Sequence, residues 1–402
     1  MTSLCVSCKG KGLCGRPACP ILEKFKPLGT TQKLSDNIFG SSPPSIFVGR
    51  YGYPQVSAGP LVPPDVIGKD AVTYDAPATW NNLDIGEIVG LRSSLVRSNM
   101  HFNVKDASSP DAMLQKTQEL ALSETPVDTE VWFRKAPRMD LRFDGVLSPM
   151  GPAGEVTKLD IAQNPAVPRH VDRAVGDSDV AAADAVREMY SADVSTDHIN
   201  RLLSIGLLGK KRKIVPTRWS ITATDDMVGK MLADDIRYYP EIGEIQVYSG
   251  GLHGNHFEIL VIPGPPAFEL IEIWMPRAVW SGGDTTVEAD WEDHNGKKGH
   301  SNLGGGYYAA RLPVLEHLHY LRRSASVFAI REITPDYWAP LGVWVVREAA
   351  RYAMSMLPLK FDSIDDALGD MSTRLNTGRD EWYHKSSLLD KRMKQRTLLD
   401  FL

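Results

Sequence analysis

Apolar and polar positions alternate along this chain in two rhythms, and the switches between them mark its elements. Ile46-Phe47-Val48 leads into Gly49-Arg50-Tyr51-Gly52-Tyr53-Pro54. β-Branched and aromatic residues favour strands and Gly and Pro break them, so the pattern predicts a strand that runs into a turn. Residues 41 to 45, Ser-Ser-Pro-Pro-Ser, read as the connector before it. Helical spacing marks 86 to 97 and 111 to 124, Glu130 to Lys135 reads as a strand, and the Gly- and Pro-rich stretch 145 to 155 as a loop. Helices are predicted near 178 to 190 and 196 to 207. Beyond Ile214 to Ala223, Thr224 followed by Asp225 and Asp226 has the composition of a helix start.

Three strands are predicted next, at 244 to 249, 256 to 262 and 268 to 275. From Ser281 to Gly306 the chain turns to Gly, Asp, Asn, Lys and His, which marks a long loop and the main domain boundary. Helix 309 to 323, strand 326 to 333 and helix 341 to 354 then suggest a smaller α/β unit. The fold expected is α+β, a mixed α/β body of two domains, 29 to 285 and 286 to 384. An N-terminal module of residues 1 to 28 precedes it, and a flexible tail of residues 385 to 402 follows.

With 402 residues, 43% hydrophobic and 24% charged, the chain has ordinary globular values. No stretch approaches the roughly 18 to 20 apolar residues of a membrane span, and the N-terminus lacks the apolar core of a secretory signal, so a soluble intracellular protein without membrane contact is expected. A formal net charge of −5 argues against a uniformly basic coating and makes any nucleic-acid contact local. The cations cluster in two places. Lys9, Lys11, Arg16, Lys24 and Lys26 face only Glu23 in the first thirty residues, and Lys210, Lys211, Arg212 and Lys213 form a run followed by Arg218.

All four cysteines lie in the first nineteen residues: Cys5, Cys8, Cys14 and Cys19, spaced C-x2-C-x5-C-x4-C with Gly10, Gly12 and Gly15 between them. Four thiolates satisfy tetrahedral Zn²⁺ at about 2.3 Å each, and glycines let so short a segment turn around a metal. One structural zinc in a zinc-ribbon-like module is the expectation. An iron–sulfur cluster also accepts four thiolates, and a pair of disulfides would suit a secreted chain. Lys9, Lys11 and Arg16 beside the cysteines suit phosphate contact; a ribbon that merely caps its neighbour would look similar.

In the body there is no G-x-x-x-x-G-K-[ST] phosphate loop and no G-x-S-x-G elbow. His253-Gly254-Asn255-His256-Phe257-Glu258 is the most metal-like stretch. His256 and Glu258 would share one face of a strand, a turn at Gly254 could bring His253 toward them, and Asp225, Asp226, Glu269 or Glu272 could complete a nuclease-type site. The ordinary reading of such histidines is surface or packing, and Asp293-His294-Asn295 is a loop with only a superficial nuclease look. Arg50, Tyr51, Tyr53, Arg218 and Trp219 combine guanidinium groups with aromatic faces, which suits phosphate contact and base stacking. The competing reading is a buried Trp with an Arg stacked on it. The Lys210 to Lys213 run reads as a solvated loop or a DNA contact.

The chain ends Gln395-Arg396-Thr397-Leu398-Leu399-Asp400-Phe401-Leu402. This resembles the PCNA-interacting peptide, with Gln395, Leu398, Phe401 and Leu402 in register, although Leu402 stands where a second aromatic is usual. A single 3₁₀ turn would put Leu398 and Phe401 on one face as an apolar plug. The alternative is a C-terminal helix docked on its own domain, with Leu388, Leu389 and Met393 continuing at helical spacing. Taken in order, the cysteine cluster, the Ile46 to Pro54 stretch, Val215-Pro216-Thr217-Arg218-Trp219-Ser220-Ile221-Thr222, Gly305-Gly306-Tyr307-Tyr308-Ala309-Ala310-Arg311 and the terminal peptide resemble the archaeal Nre family across the whole chain. The resemblance implies a two-domain DNA repair factor with an N-terminal metal site, a tail binding the sliding clamp PCNA, and a place in the archaeal cytoplasm, at the nucleoid. Three classes of function follow: a non-enzymatic repair adaptor on DNA, a metal-dependent DNA-processing enzyme recruited by the same tail, and a scaffold for other repair proteins that never touches DNA.

Overall fold

The computed structural model describes residues 4–9, 13–15, 19, 21, 34–138, 141–281 and 283–394. Packing divides the chain into two compact units, Leu22–Val228 and a second that joins Met1–Ile21 to Gly229–Leu402. The first described element, the five-residue helix α1 (Leu4–Cys8), belongs to the second unit.

The unit Leu22–Val228 is built on strands β1 (Asn37–Ser42), β2 (Ile46–Val48), β3 (Gln55–Val62), β4 (Val96–Asn103), β5 (Val127–Phe133) and β6 (Ala153–Ile161). They form one sheet in the order β1-β5-β6-β4-β3-β2, antiparallel except where β4 runs parallel to β6. In β5, Val127, Thr129, Val131 and Phe133 are buried while Asp128, Glu130 and Trp132 point outward, the period of a strand with one face on a core. Helices α2 (Ile85–Ser94), α3 (Ala112–Leu122), α4 (Arg169–Gly176), α5 (Ala182–Ser191) and α6 (Thr196–Ser204) complete the unit. Several start on side-chain caps: Asp84 and Glu87 form a capping box on α2, Asp111 accepts from Met113 and Leu114 on α3, and Ser195 accepts from His198 on α6.

Helix α7 (Thr217–Ile236) carries the chain from one unit into the other. It starts well before Thr224, which is buried in the middle of the helix. The reason is Pro216: it breaks the extended segment, and its carbonyl accepts from the Trp219 and Ser220 amides at 2.8 and 3.0 Å to open the first turn. The β-branched run Ile214 to Thr224 conceals this helix.

The second unit carries β7 (Ile245–Leu252), β8 (Asn255–Ile262), β9 (Ala267–Trp274), β10 (Thr286–Glu292), α8 (Gly305–Leu321), β11 (Ser326–Ile333), α9 (Trp344–Met354), β12 (Leu359–Phe361), α10 (Ile364–Arg374), α11 (Arg379–Tyr383) and α12 (Ser387–Lys394). Its sheet has the order β10-β9-β11-β8-β7-β12, with β9 and β11 parallel. One face packs Leu260, Ile271, Ile273, Phe328 and Ile330 against Leu368, Met371, Trp382, Leu388 and Leu389 of the C-terminal helices. Helices α8 and α9 pack on each other, α8 also against β9 and α9 against β7 and β8.

Two sequence expectations change here. The stretch 281 to 306 is not all loop, because β10 lies within it and pairs with β9 from Phe268 to Trp274. The strands 244 to 275 pack with β10 in one sheet of the second unit. Residues 387 to 394 are not a free tether: Leu388 and Leu389 are buried and α12 docks on β9.

The motif Gly305 to Arg311 opens α8 and is buried throughout. Arg311 Nη1 donates to both Glu292 oxygens, at 2.9 and 2.8 Å, and its guanidinium lies 5.9 and 5.5 Å from the rings of Tyr307 and Tyr308. A Cβ on Gly229 would come 2.9 Å from Arg311 Nη2, so the glycine lets α7 lie close against the pair. Breaking a buried ion pair leaves one uncompensated charge, so Arg311→Met is expected to cost about 3–5 kcal/mol in urea unfolding. The double variant Arg311→Met/Glu292→Leu should recover most of that loss; a single-variant cost below about 1 kcal/mol would show that the pair is not a structural determinant.

Candidate nucleic-acid interface

Two of the sequence motifs, far apart in the chain, meet at one surface of the Leu22–Val228 unit. The Val48 amide donates to Thr217 Oγ1 at 2.8 Å, tying β2 to the first turn of α7. Beyond β2 the chain makes a turn in which the Gln55 amide donates to the Gly52 carbonyl at 2.9 Å and the Gly49 amide to the Ser57 carbonyl at 2.7 Å. Gly52 sits at φ +84°, where a side chain would strain the backbone. The turn presents Tyr51, 79% exposed, and Tyr53, 54% exposed. Trp219 on α7 is 45% exposed and meets Tyr53 with ring centroids 5.3 Å apart at 58°. The Arg50 guanidinium lies 5.0 Å from the Tyr51 ring centroid.

The basic run lies alongside. The Pro54 carbonyl accepts from the Val104 amide at 3.0 Å, and the Val104 carbonyl accepts from the Ile214 amide at 2.9 Å, so the residue after Lys213 is two hydrogen bonds from the aromatic turn. Lys210, Lys211 and Lys213 are exposed. Two cations expected at this surface are used inside the fold instead. Arg218 is buried and both carboxylate oxygens of Asp144 accept from it, while Arg212 donates to the Val175 carbonyl. Trp219, in contrast, faces outward, so a buried Trp stacked on Arg218 is not what forms. Lys105, exposed next to Val104, joins the surface. Sequence reasoning missed it because it stands alone, outside any basic run.

The metal-like stretch resolves differently. His253 and Gly254 form the turn between β7 and β8, and the His253 ring packs edge-on against Trp344 at 5.9 Å between centroids. Glu258 is fully buried and saturated: it accepts from His256 Nε2 at 2.7 Å, Ser249 Oγ at 2.6 Å, and Arg374 Nε and Nη2 at 2.8 Å each. Burial pushes its carboxyl up, but these donors outweigh burial and hold it below the ordinary carboxylate range. The other acids of β9 and β11 also accept hydrogen bonds from distant parts of the chain. Glu269 accepts from Ser386 Oγ and from the Ser387 and Leu388 amides, at 2.7 and 3.1 Å, and so caps α12. Glu332 accepts from the Asn376 and Thr377 amides at 3.0 and 2.8 Å. Glu272 accepts from Arg331 Nη1 at 2.5 Å and from Lys9 Nζ at 3.1 Å. Asp293 caps the Asn295 amide at 2.9 Å in a turn closed by Gly296.

Among the described residues, no three His, Cys, Asp or Glu side chains come together as a metal would require. This applies to His253, His256 and Glu258, and to Cys5, Cys8, Cys14 and Cys19. Cys5 and Cys8 lie one turn apart on α1, Cys5 exposed and Cys8 buried, and Cys14 is exposed. As placed, the thiols are not gathered into a closed tetrahedral site. Lys11, Arg16, Gln395, Leu398, Phe401 and Leu402 lie outside the described residues. No helix among the described residues is long and apolar enough to cross a membrane.

A two-unit α/β protein with a buried-glutamate sheet and an exposed aromatic and basic face is the class these features define. The chain matches the family described as "Archaeal Nre, N-terminal" over residues 13–281 and "Archaeal Nre, C-terminal" over residues 292–401. It belongs to the archaeal Nre family. It is 43% identical to DNA repair protein NreA of Archaeoglobus fulgidus, over 94% of this chain and 95% of that one. It is 36% identical to DNA repair protein NreB of the same organism, over 99% and 100%, and 35% identical to DNA repair protein NreA of Haloferax volcanii, over 91% and 90%. No solved structure matches.

The saturated state of Glu258 generates an expectation. Glu258→Gln removes one of the two carboxylates on Arg374 and leaves Asp370 at 2.6 Å; because Arg374 keeps that partner and is partly exposed, the cost at pH 7 should be about 1–2 kcal/mol in urea unfolding, below that of a wholly buried pair. Its folded-state value is depressed, so the contribution is complete above the unfolded value and is lost as pH falls through the folded one. The gap between wild type and variant should therefore narrow on acidification; a gap that widens would overturn the assignment.

Proposed function

We propose that the chain is a DNA repair factor that binds DNA through the Arg50–Pro54 turn, Trp219 and the neighbouring lysines, and is held at the sliding clamp PCNA by Gln395, Leu398, Phe401 and Leu402. The repair role rests on relatives named DNA repair proteins that match nearly end to end. The observation that carries the DNA contact is the convergence of three exposed aromatics with Arg50, Lys105, Lys210, Lys211 and Lys213. Aromatic faces and flexible cations together are the equipment of a nucleic-acid surface. A binding role is favoured because, of the acids a metal-dependent nuclease would recruit, Glu258, Glu269 and Glu272 are committed to anchoring chain segments. The clamp reading rests on the register of Gln395, Leu398, Phe401 and Leu402 in the sequence.

The zinc reading rests on the C-x2-C-x5-C-x4-C spacing alone. Cys5, Cys8, Cys14 and Cys19 would hold Zn²⁺ if Cys14 and Cys19 were drawn toward the turn that carries Cys5 and Cys8. Lys9, held by Glu272, would then fix the metal-bound loop to the second unit. Elemental analysis of purified protein should give one zinc per chain, lost in Cys5→Ser/Cys8→Ser; metal-free protein with four titratable thiols would exclude it.

Titration calorimetry of the full chain, and of one ending at Lys394, into the cognate clamp tests the tail. Binding that disappears with the deletion is the expected result, and no binding by the full chain would remove the clamp from the proposal. DNA binding should weaken steeply as salt rises, and Lys210→Ala/Lys211→Ala/Lys213→Ala should flatten the salt slope by up to about three phosphates' worth.

A further inference from the structure

We infer that Tyr51, Tyr53 and Trp219 form a stacking platform for unpaired bases, so that the preferred ligand is single-stranded DNA or the single-stranded part of a damaged duplex. This inference rests on the DNA-contact reading above and deepens it.

Three large aromatics clustered at 79, 54 and 45% exposure are unusual, since such residues ordinarily bury most of their area. They are not loose. The turn is closed by the Gln55 and Gly49 amides, its root is tied to α7 through Val48 and Thr217, and Arg218, the neighbour of Trp219, is locked inward on Asp144. A ligand therefore meets rings carried on a fixed backbone, and little backbone entropy is lost on binding. Tyr53 and Trp219 meet at 58° rather than face to face, so neither ring is stacked over the other. The Arg50 guanidinium beside Tyr51 adds a planar cation on which a base can also stack.

The surrounding charge selects the ligand. On the three segments that build the surface, residues 48 to 57, 101 to 106 and 209 to 219, the side chains not consumed by Asp144 or Val175 are Arg50, Lys105, Lys210, Lys211 and Lys213, against Asp106 alone. A polyanion with accessible planar groups satisfies both features together. A duplex offers the phosphates but keeps its bases stacked in its interior, out of reach of these rings; unpaired DNA offers both. An apolar peptide would satisfy the rings and leave the lysines without partners.

The test is fluorescence anisotropy of the full chain with an end-labelled oligothymidine and with a duplex of equal length. Single-stranded DNA should bind more tightly. Tyr51→Ala removes a ring that stands 79% exposed, so it leaves folding unaffected, and Trp219→Ala removes the ring on α7. Each should weaken single-stranded binding roughly 5- to 100-fold with little effect on duplex, while Trp219→Phe keeps most of the affinity. The lysine triple variant should weaken both ligands. If duplex binds as well as single strand and the ring variants change nothing while the lysine variant does, the platform is overturned and the DNA-contact reading stands. If neither ligand binds at low salt, both fall.

Discussion

Four carboxylates buried in one sheet set where the ends of this chain must go. Glu258, Glu269, Glu272 and Glu332 come from β8, β9 and β11, and none is more than 1% exposed. Removing a carboxylate from water costs several kcal/mol unless donors replace the hydration, so each fixes a partner from elsewhere in the sequence. Glu258, Glu269 and Glu332 share strand parity with Leu260, Ile271 and Ile330 and lie on the face covered by the C-terminal helices. They hold, in turn, Arg374, the start of α12, and the backbone at Asn376 and Thr377. Glu272 faces the other way and holds Arg331 and Lys9. The hydrophobic faces of α10 and α12 supply the energy of docking; the glutamates supply its register.

Residues of this kind are open to misreading in sequence. A Glu or His in a β-strand pattern looks like a ligand or an acid catalyst, because nothing local reveals its partner. Glu258 meets Arg374 across 116 positions and Glu269 meets Leu388 across 119, separations no window of periodicity spans. What local chemistry governs was legible. The strand 326 to 333 and the helices expected near 178 to 190 and 196 to 207 follow from side-chain period, the second of them also from its Ser195 cap, while the strand expected at 130 to 135 lies a few residues late on β5. The start of α7 was not, since its β-branched residues argue for a strand and only Pro216 with its accepting carbonyl decides otherwise. Strand β10 was hidden by polar residues suited to an edge, where one side of the strand meets water.

At the aromatic face, the fold divides residues that the sequence groups together. Arg218 and Trp219 are adjacent on a helix and so point about 100° apart, which sends one into the unit and the other out of it. The same logic separates Arg212, turned onto the Val175 carbonyl, from Lys210, Lys211 and Lys213. A cation with an internal acceptor is a structural element; one without is available to a ligand. That distinction depends on the neighbour, not on the residue.

The hydrogen bond from Val48 to Thr217 spans 169 positions. During synthesis the Tyr51 to Tyr53 turn leaves the ribosome before the helix that anchors it, by roughly ten to thirty seconds at ordinary elongation rates. Throughout that interval the nascent chain carries unsupported aromatics and an unpaired β2 flank, the features that draw chaperones and favour aggregation. The face that would grip DNA is therefore among the last parts of its unit to exist, and no truncated product ending before Thr217 can carry it.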